Sequence, residues 1–360
     1  MNDSLRESEI APTVENGRDV PIRRARGHAK PTPAVGAALP AQLTEIIRPD
    51  LRYHYALPLG ARRWLDVCED PQYAHGELIE TTRHAVPRLL SETLGLDNGH
   101  RVAVVSLGPG DGRLDAAVID SLHTTTSLVS FVGVDASRHL LELASSRLAS
   151  STAAQEGVPF DLIHGDFFEL SLKELPPTAR GVSRLFVLLG LTFGNYREAG
   201  LLSGIADLLG TDDLLLLDAR LHDFGADVDP LRLSAAQRAT LLATYDREKV
   251  RRFSFAPVEA HTTSSSDDVT FRCEIGRQYT DVPGALNIVT YCEQLTTAMR
   301  ESGTPVQLPR LDLSVTSAYD GPSLLAWLGS QGLDVIAEEA SGGTMRVLTR
   351  VRDVVLPRQD

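Results

Sequence analysis

A glycine-rich turn follows an apolar run in the first third of the sequence. Residues 102–107 are apolar apart from one serine, and Gly108-Pro109-Gly110-Asp111-Gly112 comes directly after them. A turn of this kind at the end of a strand lets a nucleotide-type cofactor approach the backbone, because glycine has no Cβ. The spacing is G-x-G-x-G, whereas dinucleotide sites have G-x-G-x-x-G with a pyrophosphate at the helix N-terminus. The turn therefore favours a cofactor without phosphate over NAD.

Acidic residues end the next two predicted strands. Asp135 follows the run 128–134, where a carboxylate can accept hydrogen bonds from both ribose hydroxyls of a nucleoside. The alternative for Asp135 is a helix cap, since a helix is expected just after it. Asp166 and Phe167 follow the run 160–163 and suit an adenine amino group and ring. We therefore predict an S-adenosylmethionine (SAM) site made by Gly108, Gly110, Gly112, Asp135, Asp166 and Phe167.

Strand and helix patterns alternate between residues 99 and 218. Strands are predicted at 102–107, 128–134, 160–163, 185–189 and 214–217, with helical patterns between them. Such alternation is typical of a parallel sheet with helices on both faces. Together with the glycine turn and the acidic strand ends, it predicts an α/β fold with the Rossmann-like sheet of class I methyltransferases.

The rest of the chain divides into four further parts. Residues 1–42 hold five prolines and no aromatic residue, which predicts a disordered arm. Residues 43–98 show apolar positions at three- and four-residue steps and predict a helical segment on the substrate side. Residues 219–310 break the alternation and predict an inserted α+β subdomain. Residues 311–360 end in a helix and a hairpin, and are expected to return to the core sheet.

The inserted subdomain is expected to cover the acceptor of the reaction. Helical patterns are present at 234–249 and 284–299, with mixed strand signals at 253–279. Tyr245, Arg277 and Tyr279 are candidates to line the acceptor site. Each has a structural alternative, because Tyr245 lies among charged residues on a predicted helix and an arginine is often a surface ion-pair partner.

A further motif indicates a family. The run Leu189-Gly190-Leu191-Thr192-Phe193-Gly194-Asn195 resembles the Leu-Gly-Ser-Thr-Ile-Gly-Asn segment of the histidine Nα-methyltransferases of the ergothioneine pathway. In that family this segment places an asparagine against the amino-acid substrate. The resemblance therefore implies SAM-dependent methyl transfer, with Asn195 binding the amino or carboxylate group of the acceptor.

Two other segments are similar to the same family, so that the likeness covers about residues 45–352. Tyr55, Gly60 and the run 69–73 resemble its N-terminal stretch, whose tyrosines approach the substrate. Residues 315–320 resemble its Glu-Ile-Ser-Cys-Lys-Phe strand. The resemblance implies that Tyr55 and Tyr73 act with Asn195 as catalytic residues, and that Ser317 is a polar substrate-binding residue. His75 or a water is an alternative proton relay.

The departures from the family pattern concern the substrate. Val315 stands where the family has a glutamate that recognises the imidazole, and Tyr73-Ala74-His75-Gly76-Glu77 replaces a Tyr-Tyr-Pro-Thr-Arg-Thr-Glu run. A site built to hydrogen-bond a polar group discriminates strongly by that group, so its loss indicates another substrate. We expect N-methylation of an amino-acid-like or other small-molecule acceptor that is not histidine.

Composition excludes several other classes. The 360 residues include 35 basic and 48 acidic side chains, a formal net charge of −13, which disfavours nucleic acid. The sequence has no apolar run long enough to span a bilayer and does not begin like a signal peptide, so we expect a cytoplasmic protein without a membrane partner. Three isolated cysteines predict neither a disulfide framework nor a metal site.

Two alternative functions compete with methyl transfer. A SAM-binding protein that does not methylate would keep the glycine turn and Asp135 and would tolerate Val315. An NAD-dependent oxidoreductase would need the G-x-G-x-x-G spacing that this turn does not have. Formation of S-adenosylhomocysteine distinguishes the first alternative from an enzyme, and nicotinamide binding would support the second.

Overall fold

The computed structural model describes residues 19–25, 52–73, 75–94, 101–125, 127–176 and 181–352. Its strands form two sheets. The strands are β1 (Ile22–Arg24), β2 (Arg101–Leu107), β3 (Ser127–Asp135), β4 (Phe160–His164), β5 (Val182–Leu188), β6 (Leu214–Arg220), β7 (Phe271–Gly276), β8 (Leu286–Ala298), β9 (Pro305–Ala318), β10 (Leu333–Ser341) and β11 (Thr344–Val351).

The main sheet has eight strands in the order β1-β4-β3-β2-β5-β6-β11-β10. Strands β1 to β6 pair in parallel, and β11 joins β6 antiparallel before turning into β10. This arrangement confirms the predicted α/β class with a Rossmann-like parallel core. Because the carboxyl ends of β2 to β6 lie at one edge, the residues that follow these strands come together there.

Helices cover both faces of the main sheet and the insert. They are α1 (Arg52–Ala56), α2 (Pro58–Cys68), α3 (His75–Leu94), α4 (Arg113–Thr125), α5 (Arg138–Ala149), α6 (Thr152–Gln155), α7 (Glu198–Ala206), α8 (Ala235–Leu242), α9 (Glu248–His261) and α10 (Gly321–Ser330). In the described part of the chain, no helix is both long enough and apolar enough to cross a membrane.

The strands of the parallel core are buried on both faces. Alternate residues enter different cores: Val105 and Leu107 of β2 pack in one hydrophobic cluster, while Val102 and Val104 pack in the other. Strands of this kind need apolar residues at nearly every position, which is why their sequences are uninterrupted apolar runs. The same property made them easy to predict.

The second sheet corrects the prediction for the insert. The helix predicted at 284–299 is wrong, because β8 occupies this segment and pairs antiparallel with both β7 and β9. Residues 286–290 are all buried, so they lack the alternation that identifies a half-exposed strand. The β-branched and aromatic residues at 288–291 are the better signal. The boundary expected at residue 310 also lies inside β9, so the insert continues to Ala318.

The structure also differs from the helix predicted at 234–249 and from the strands predicted at 253–279. Helix α8 ends at Leu242, and α9 begins at Glu248 and extends to His261, so that β7 is the sole strand of the segment among the described residues. Helix α9 buries Phe253, Phe255 and Val258 on its inner face. These aromatic and β-branched residues produced the strand-like pattern.

The N-terminal segment differs from its prediction in one place. Residues 19–25 belong to the predicted disordered arm, yet β1 extends the main sheet beside β4. Val20 and Ala25 are buried, and the Nε of Arg23 donates to Asp161 at 2.5 Å. A free edge of β4 offers unpaired backbone groups, and these contacts favour pairing there. Residues 1–18 and 26–42 of the arm lie outside the described residues.

Two glycines of α7 test how this helix packs over the turn after β4. A Cβ added at Gly204 lies 2.1 Å from Cδ1 of Phe168, whereas one at Gly200 meets nothing within 4 Å. We predict that Gly204→Ala lowers the free energy of unfolding by about 1 to 3 kcal/mol. Gly200→Ala should raise it by about 0.5 to 1 kcal/mol through helix propensity. Urea denaturation measures both changes, and equal effects would contradict this packing.

Candidate functional site

The first cavity lies at the carboxyl edge of the main sheet, over the ends of β2 and β3. It has a volume of about 880 Å³, part of which is open to solvent. We call it the glycine-turn cavity. Five of the predicted cofactor residues line it, namely Gly108, Gly110, Asp135, Asp166 and Phe167.

The three glycines of the turn have left-handed φ angles of 84°, 56° and 77°. A residue with a Cβ is strained in this conformation. A Cβ at Gly108 or Gly110 would meet no atom within 4 Å, so a ligand can approach the backbone there. Gly112 lies instead against α5, where a Cβ would be 3.0 Å from Ala144. The structure therefore places Gly112 in the packing of α4 on α5.

Asp135 links the glycine turn to the end of β3. Its carboxylate accepts the N–H of Gly110 at 3.0 Å and the N–H of Ser137 at 2.7 Å. Burial raises the pKa of Asp135 to about 6. Each carboxylate oxygen can accept more than one hydrogen bond, so these contacts leave acceptor capacity on the cavity side.

The turn after β4 adds Asp166 and Phe167 to the lining of the cavity. Asp166 accepts the N–H of Phe168 at 3.0 Å and so caps a short 3₁₀ turn. Phe167 is buried and stacks on Phe168 with 4.7 Å between ring centroids. The pair forms a flat apolar surface beside a carboxylate.

The beginning of α4 adds two aspartates that the sequence analysis did not select. Asp111 forms ion pairs with Arg113 at 2.8 Å and Arg147 at 2.9 Å. Asp115 lines the glycine-turn cavity and forms a hydrogen bond with Ser106. Burial raises the pKa of Asp115 to about 7. An acidic residue on the buried face of the helix that follows a cofactor turn was the signal available in the sequence.

A second cavity of about 520 Å³ lies beside the first, and we call it the Asn195 cavity. Asn195 reaches it from the turn after β5, and the insert covers it with α9, β8 and β9. Tyr55, Trp64 and Gly190 line both cavities. The two cavities are therefore neighbours that share a wall.

A hydrogen-bonded turn positions Asn195. The buried carboxylate of Asp218 accepts the N–H of Gly190 at 3.0 Å and of Leu191 at 2.7 Å. Leu191 has a φ of 61°, which is unusual for a residue other than glycine. Burial raises the pKa of Asp218 to about 6, while the nearby Arg346 opposes this shift.

Aromatic side chains form the shared wall and its continuation. Trp64 packs edge-on against Tyr55, with centroids 5.4 Å apart, and against Tyr73 at 5.6 Å. Phe253 of α9 completes the group at 5.1 Å from Tyr55. Neither Trp64 nor Phe253 was selected from the sequence, because each is an ordinary apolar position of an amphipathic helix until the two helices pack together.

Burial sets the protonation of the groups near this wall. The pKa values of Tyr55 and Tyr73 are raised well above their usual value by burial, so both phenols are neutral at physiological pH. His75 lines the glycine-turn cavity, and burial lowers its pKa, so its imidazole is neutral as well. These residues offer hydroxyl and imidazole hydrogen bonds rather than charges.

The structure separates the remaining predicted substrate residues. Tyr73, Tyr245 and Asn195 line the Asn195 cavity. Ser317 lies elsewhere, buried, with its hydroxyl accepting from the side chain of Asn287 at 3.0 Å. Tyr279 donates to Asp312 at 2.6 Å, and Arg277 is exposed. Both were expected to line the acceptor site, but they lie after the end of β7 and are not part of the lining of the Asn195 cavity.

Strand β9 presents other residues to the cavity. Ser314, Val315 and Thr316 line it, with Thr316 opposite Ile288 and Ser314 opposite Thr290 in the register with β8. Within the described residues, no Asp, Glu, Lys, Arg or His side chain belongs to the lining. The cavity is thus aromatic and aliphatic with neutral hydroxyl and amide groups.

A cation lies just outside this uncharged lining. The guanidinium carbon of Arg220, at the end of β6, is 5.2 Å from the ring centroid of Tyr245. Its Nη1 donates a long hydrogen bond of 3.4 Å to Thr244. Its Nε is buried and has no hydrogen-bond partner in the part of the chain that the structure describes. Arg220 therefore has unused donor capacity next to the Asn195 cavity.

The Rossmann-like sheet, the glycine turn and the strand-end carboxylates define a class I methyltransferase that uses SAM. The chain belongs to the family of histidine-specific, SAM-dependent methyltransferases, whose model matches residues 53–256. This range includes the glycine turn, Asp135, Asp166 and Asn195. A comparison with curated proteins found no match.

Three solved methyltransferase structures are among those similar to this chain. The 1,6-didemethyltoxoflavin-N1-methyltransferase of Burkholderia thailandensis is 12% identical, with 89% of this chain and 93% of that chain covered and a TM-score of 0.40. The glycopeptide N-methyltransferase MtfA is 14% identical, covering 75% of this chain and 86% of that chain, with a TM-score of 0.38. The mitomycin 7-O-methyltransferase MmcR is 17% identical, with 80% of this chain and 60% of that chain covered and a TM-score of 0.38.

A matched pair of glycines tests the cofactor cradle. Gly110 and Gly157 both have positive φ and open space at the Cβ position, but Gly110 lines the cavity and Gly157 is exposed far along the chain. Alanine at either site costs about 1 to 2 kcal/mol of backbone strain. We predict that Gly110→Ala weakens SAM binding at least about tenfold in calorimetry, while Gly157→Ala binds SAM like the wild type. Wild-type affinity in Gly110→Ala would place the cofactor elsewhere.

Proposed function

We propose that this enzyme transfers the methyl group of SAM to a nitrogen of a small-molecule acceptor, amino-acid-like and other than histidine. The observation that carries the proposal is the shared wall of Tyr55, Trp64 and Gly190 between the glycine-turn cavity and the Asn195 cavity. A methyl group bound in one cavity beside this wall faces a molecule bound in the other.

The glycine-turn cavity is the place for the cofactor. Its open space over Gly108 and Gly110 suits the methionyl and ribose parts, and Asp135 has acceptor capacity for ribose hydroxyls. Asp166 and the apolar surface of Phe167 suit the adenine. The chemistry that bound SAM supplies is a methyl group on a sulfonium, which an acceptor atom displaces in line from about 3 to 3.5 Å.

The Asn195 cavity selects a neutral nucleophile. A protonated amine is disfavoured in a lining without carboxylates, because burial of an unpaired charge is costly and lowers the pKa of an amine. The acceptor nitrogen therefore binds with its lone pair free. As positive charge develops on this nitrogen, the aromatic rings of Trp64 and Tyr55 in the shared wall are available to stabilise it.

Asn195, Tyr55 and Tyr73 orient the acceptor in this scheme. The amide of Asn195 can accept from an N–H and donate to an oxygen of the acceptor at the same time. Because burial keeps both phenols protonated, Tyr55 and Tyr73 act as hydrogen-bonding hydroxyls. Positioning of this kind contributes more to the rate than a single general base does.

Val315 supports an acceptor other than histidine, and Arg220 supports an acceptor that carries a carboxylate. Val315 lines the cavity at the position where the resemblance expects an imidazole-binding glutamate. Uncharged neighbours on β8 and β9 surround it, so an imidazole would lose its charged partner there. Arg220, with an unused Nε donor beside Tyr245, suits a carboxylate on the acceptor and so supports an amino-acid-like molecule.

The experiment that tests the proposal uses SAM carrying a labelled methyl group and a panel of amino acids, their derivatives and other small amines. Label on a nitrogen of one panel member, with formation of S-adenosylhomocysteine, supports the proposed reaction. Label on oxygen or carbon would overturn the N-methylation. Tight SAM binding without transfer to the panel or to a cell extract would favour the non-methylating alternative.

Removal of the Asn195 amide tests its role in acceptor binding. We predict that Asn195→Ala lowers kcat/KM for the acceptor by about 10- to 100-fold, the cost of one or two lost hydrogen bonds to a buried ligand. The Kd for SAM should change less than about twofold, because Asn195 lines only the second cavity. Steady-state kinetics measures kcat/KM, and calorimetry measures the Kd for SAM. Equal losses of kcat/KM and of SAM affinity would contradict a role of Asn195 in acceptor binding.

Arg220→Gln tests whether the acceptor carries a carboxylate, and Arg277→Gln is its matched control. Arg220→Gln should lower kcat/KM at least about tenfold for an acceptor with a carboxylate and reduce the preference for the acid over its amide. Arg277→Gln changes a guanidinium that is exposed on the insert, so its kinetics should match the wild type. An unchanged acid preference in Arg220→Gln would remove Arg220 from the acceptor site.

A further inference from the structure

Asp115 is a buried carboxyl group beside the glycine turn, and among the described residues it has no hydrogen bond to the backbone of that turn. It lies in the first turn of α4, is 6% exposed and lines the glycine-turn cavity together with Ser106, to which it is hydrogen-bonded. Burying a carboxylate in this way is costly unless a cation or several hydrogen bonds compensate for the lost water. The position therefore calls for a partner.

The other carboxylates of this region already have partners. Asp111 is paired with two arginines, Asp135 accepts two backbone N–H groups, and Asp166 caps the turn after β4. Asp115 has no ion-pair partner among the residues that the structure describes, and its carboxyl group is hydrogen-bonded only to the Ser106 hydroxyl and its own backbone N–H. Of the four, Asp115 is the carboxylate whose charge is left for a ligand.

The charges of the cofactor supply that partner. SAM carries a positive sulfonium, a positive α-ammonium and a negative carboxylate. We propose that Asp115 is a cofactor-binding residue whose carboxylate accepts hydrogen bonds from the α-ammonium of the methionyl group. The carboxylate of the same group then has the N-terminal end of α4 and Arg113 nearby, both of which favour negative charge.

The α-ammonium fits Asp115 better than the sulfonium does. The sulfonium must lie beside the wall shared with the Asn195 cavity. Asp115 lines the glycine-turn cavity but not the Asn195 cavity. An ammonium also has N–H donors, and a carboxylate assisted by a serine hydroxyl binds such donors directionally. This inference rests on the proposed placement of SAM in the glycine-turn cavity.

A pH dependence of cofactor binding follows from this contact. Burial raises the pKa of Asp115 to about 7, with repulsion from Asp111 and Asp135 in the same direction. A bound cation favours the ionised carboxyl group, so binding lowers this pKa and releases a proton below about pH 7. Affinity therefore rises with pH up to about 7 and then levels off. The other charged or titratable groups of this region are Asp111, Asp135, Asp166, His75, Tyr55, Tyr196, Arg113 and Arg147.

The test measures binding of three probes by calorimetry. They are SAM, S-adenosylhomocysteine, which keeps the ammonium without the sulfonium, and 5′-methylthioadenosine, which has neither the ammonium nor the carboxylate. Asp115→Asn should weaken SAM and S-adenosylhomocysteine by about tenfold or more and leave 5′-methylthioadenosine unchanged. The matched control is Asp120→Asn on the same helix, where the side chain caps α6, and it should bind all three like the wild type.

The outcomes separate this proposal from the proposed function. Equal affinities of wild type and Asp115→Asn for S-adenosylhomocysteine would overturn the contact, and so would an equal loss for 5′-methylthioadenosine, which indicates a structural role. Loss confined to SAM would assign Asp115 to the sulfonium and also overturn it. Wild-type protein that binds none of the probes would contradict the cofactor placement itself.

The wild-type protein gives an independent answer if Asp115→Asn does not fold. Between pH 5.5 and 7.5, the ratio of the affinities for S-adenosylhomocysteine and 5′-methylthioadenosine should increase about tenfold or more, because groups such as Asp135 and His75 affect both probes through the shared nucleoside part. A ratio that does not change with pH would overturn the proposal.

Discussion

The buried carboxylate of Asp218 fixes the turn after β5 that carries Asn195, and the Asn195 cavity depends on this turn. From β6, it accepts the N–H groups of Gly190 and Leu191 just after β5. A left-handed Leu191 costs about 1 to 2 kcal/mol, so the turn needs these hydrogen bonds to keep the conformation that carries Asn195. Arg346, opposite Asp218 on β11, is fully buried and favours the ionised carboxylate. Strands β5, β6 and β11 thus act together at one carboxylate.

The parallel core and its cofactor residues were predictable because local sequence determines them. Fully buried strands require apolar runs, and a turn that passes close to a ligand requires glycine at positive φ. Asp135 and Asp166 were identified for the same reason, since Asp135 ends β3 and Asp166 lies two residues after β4, and both strands were clear in the sequence. Gly112 shows the limit of this reasoning, because its small size serves helix packing against Ala144.

The acceptor side was harder to predict because its residues come from segments far apart in the chain. Trp64 and Phe253 come into contact only because α2 packs on α9. In the sequence, each of them is one apolar residue of a separate helix, and nothing local indicates their contact. Strand β8 was misread as a helix because both of its faces are buried at residues 286–290. Asp115 was missed because an acidic residue in the first turn of a helix is usually explained by the helix dipole.

The insert contains small hydrophobic cores of its own. One is built by α9, β8 and β9, with Phe255, Cys292 and Leu313 at its centre, and it is distinct from the two clusters that flank the main sheet. The residues that α9, β8 and β9 contribute to the Asn195 cavity therefore lie on elements with a hydrophobic core separate from those of the main sheet. Substitutions in this layer can change the shape of the Asn195 cavity while the clusters that flank the main sheet keep their packing. The shape of the acceptor side can therefore change independently of the sheet that carries the glycine turn.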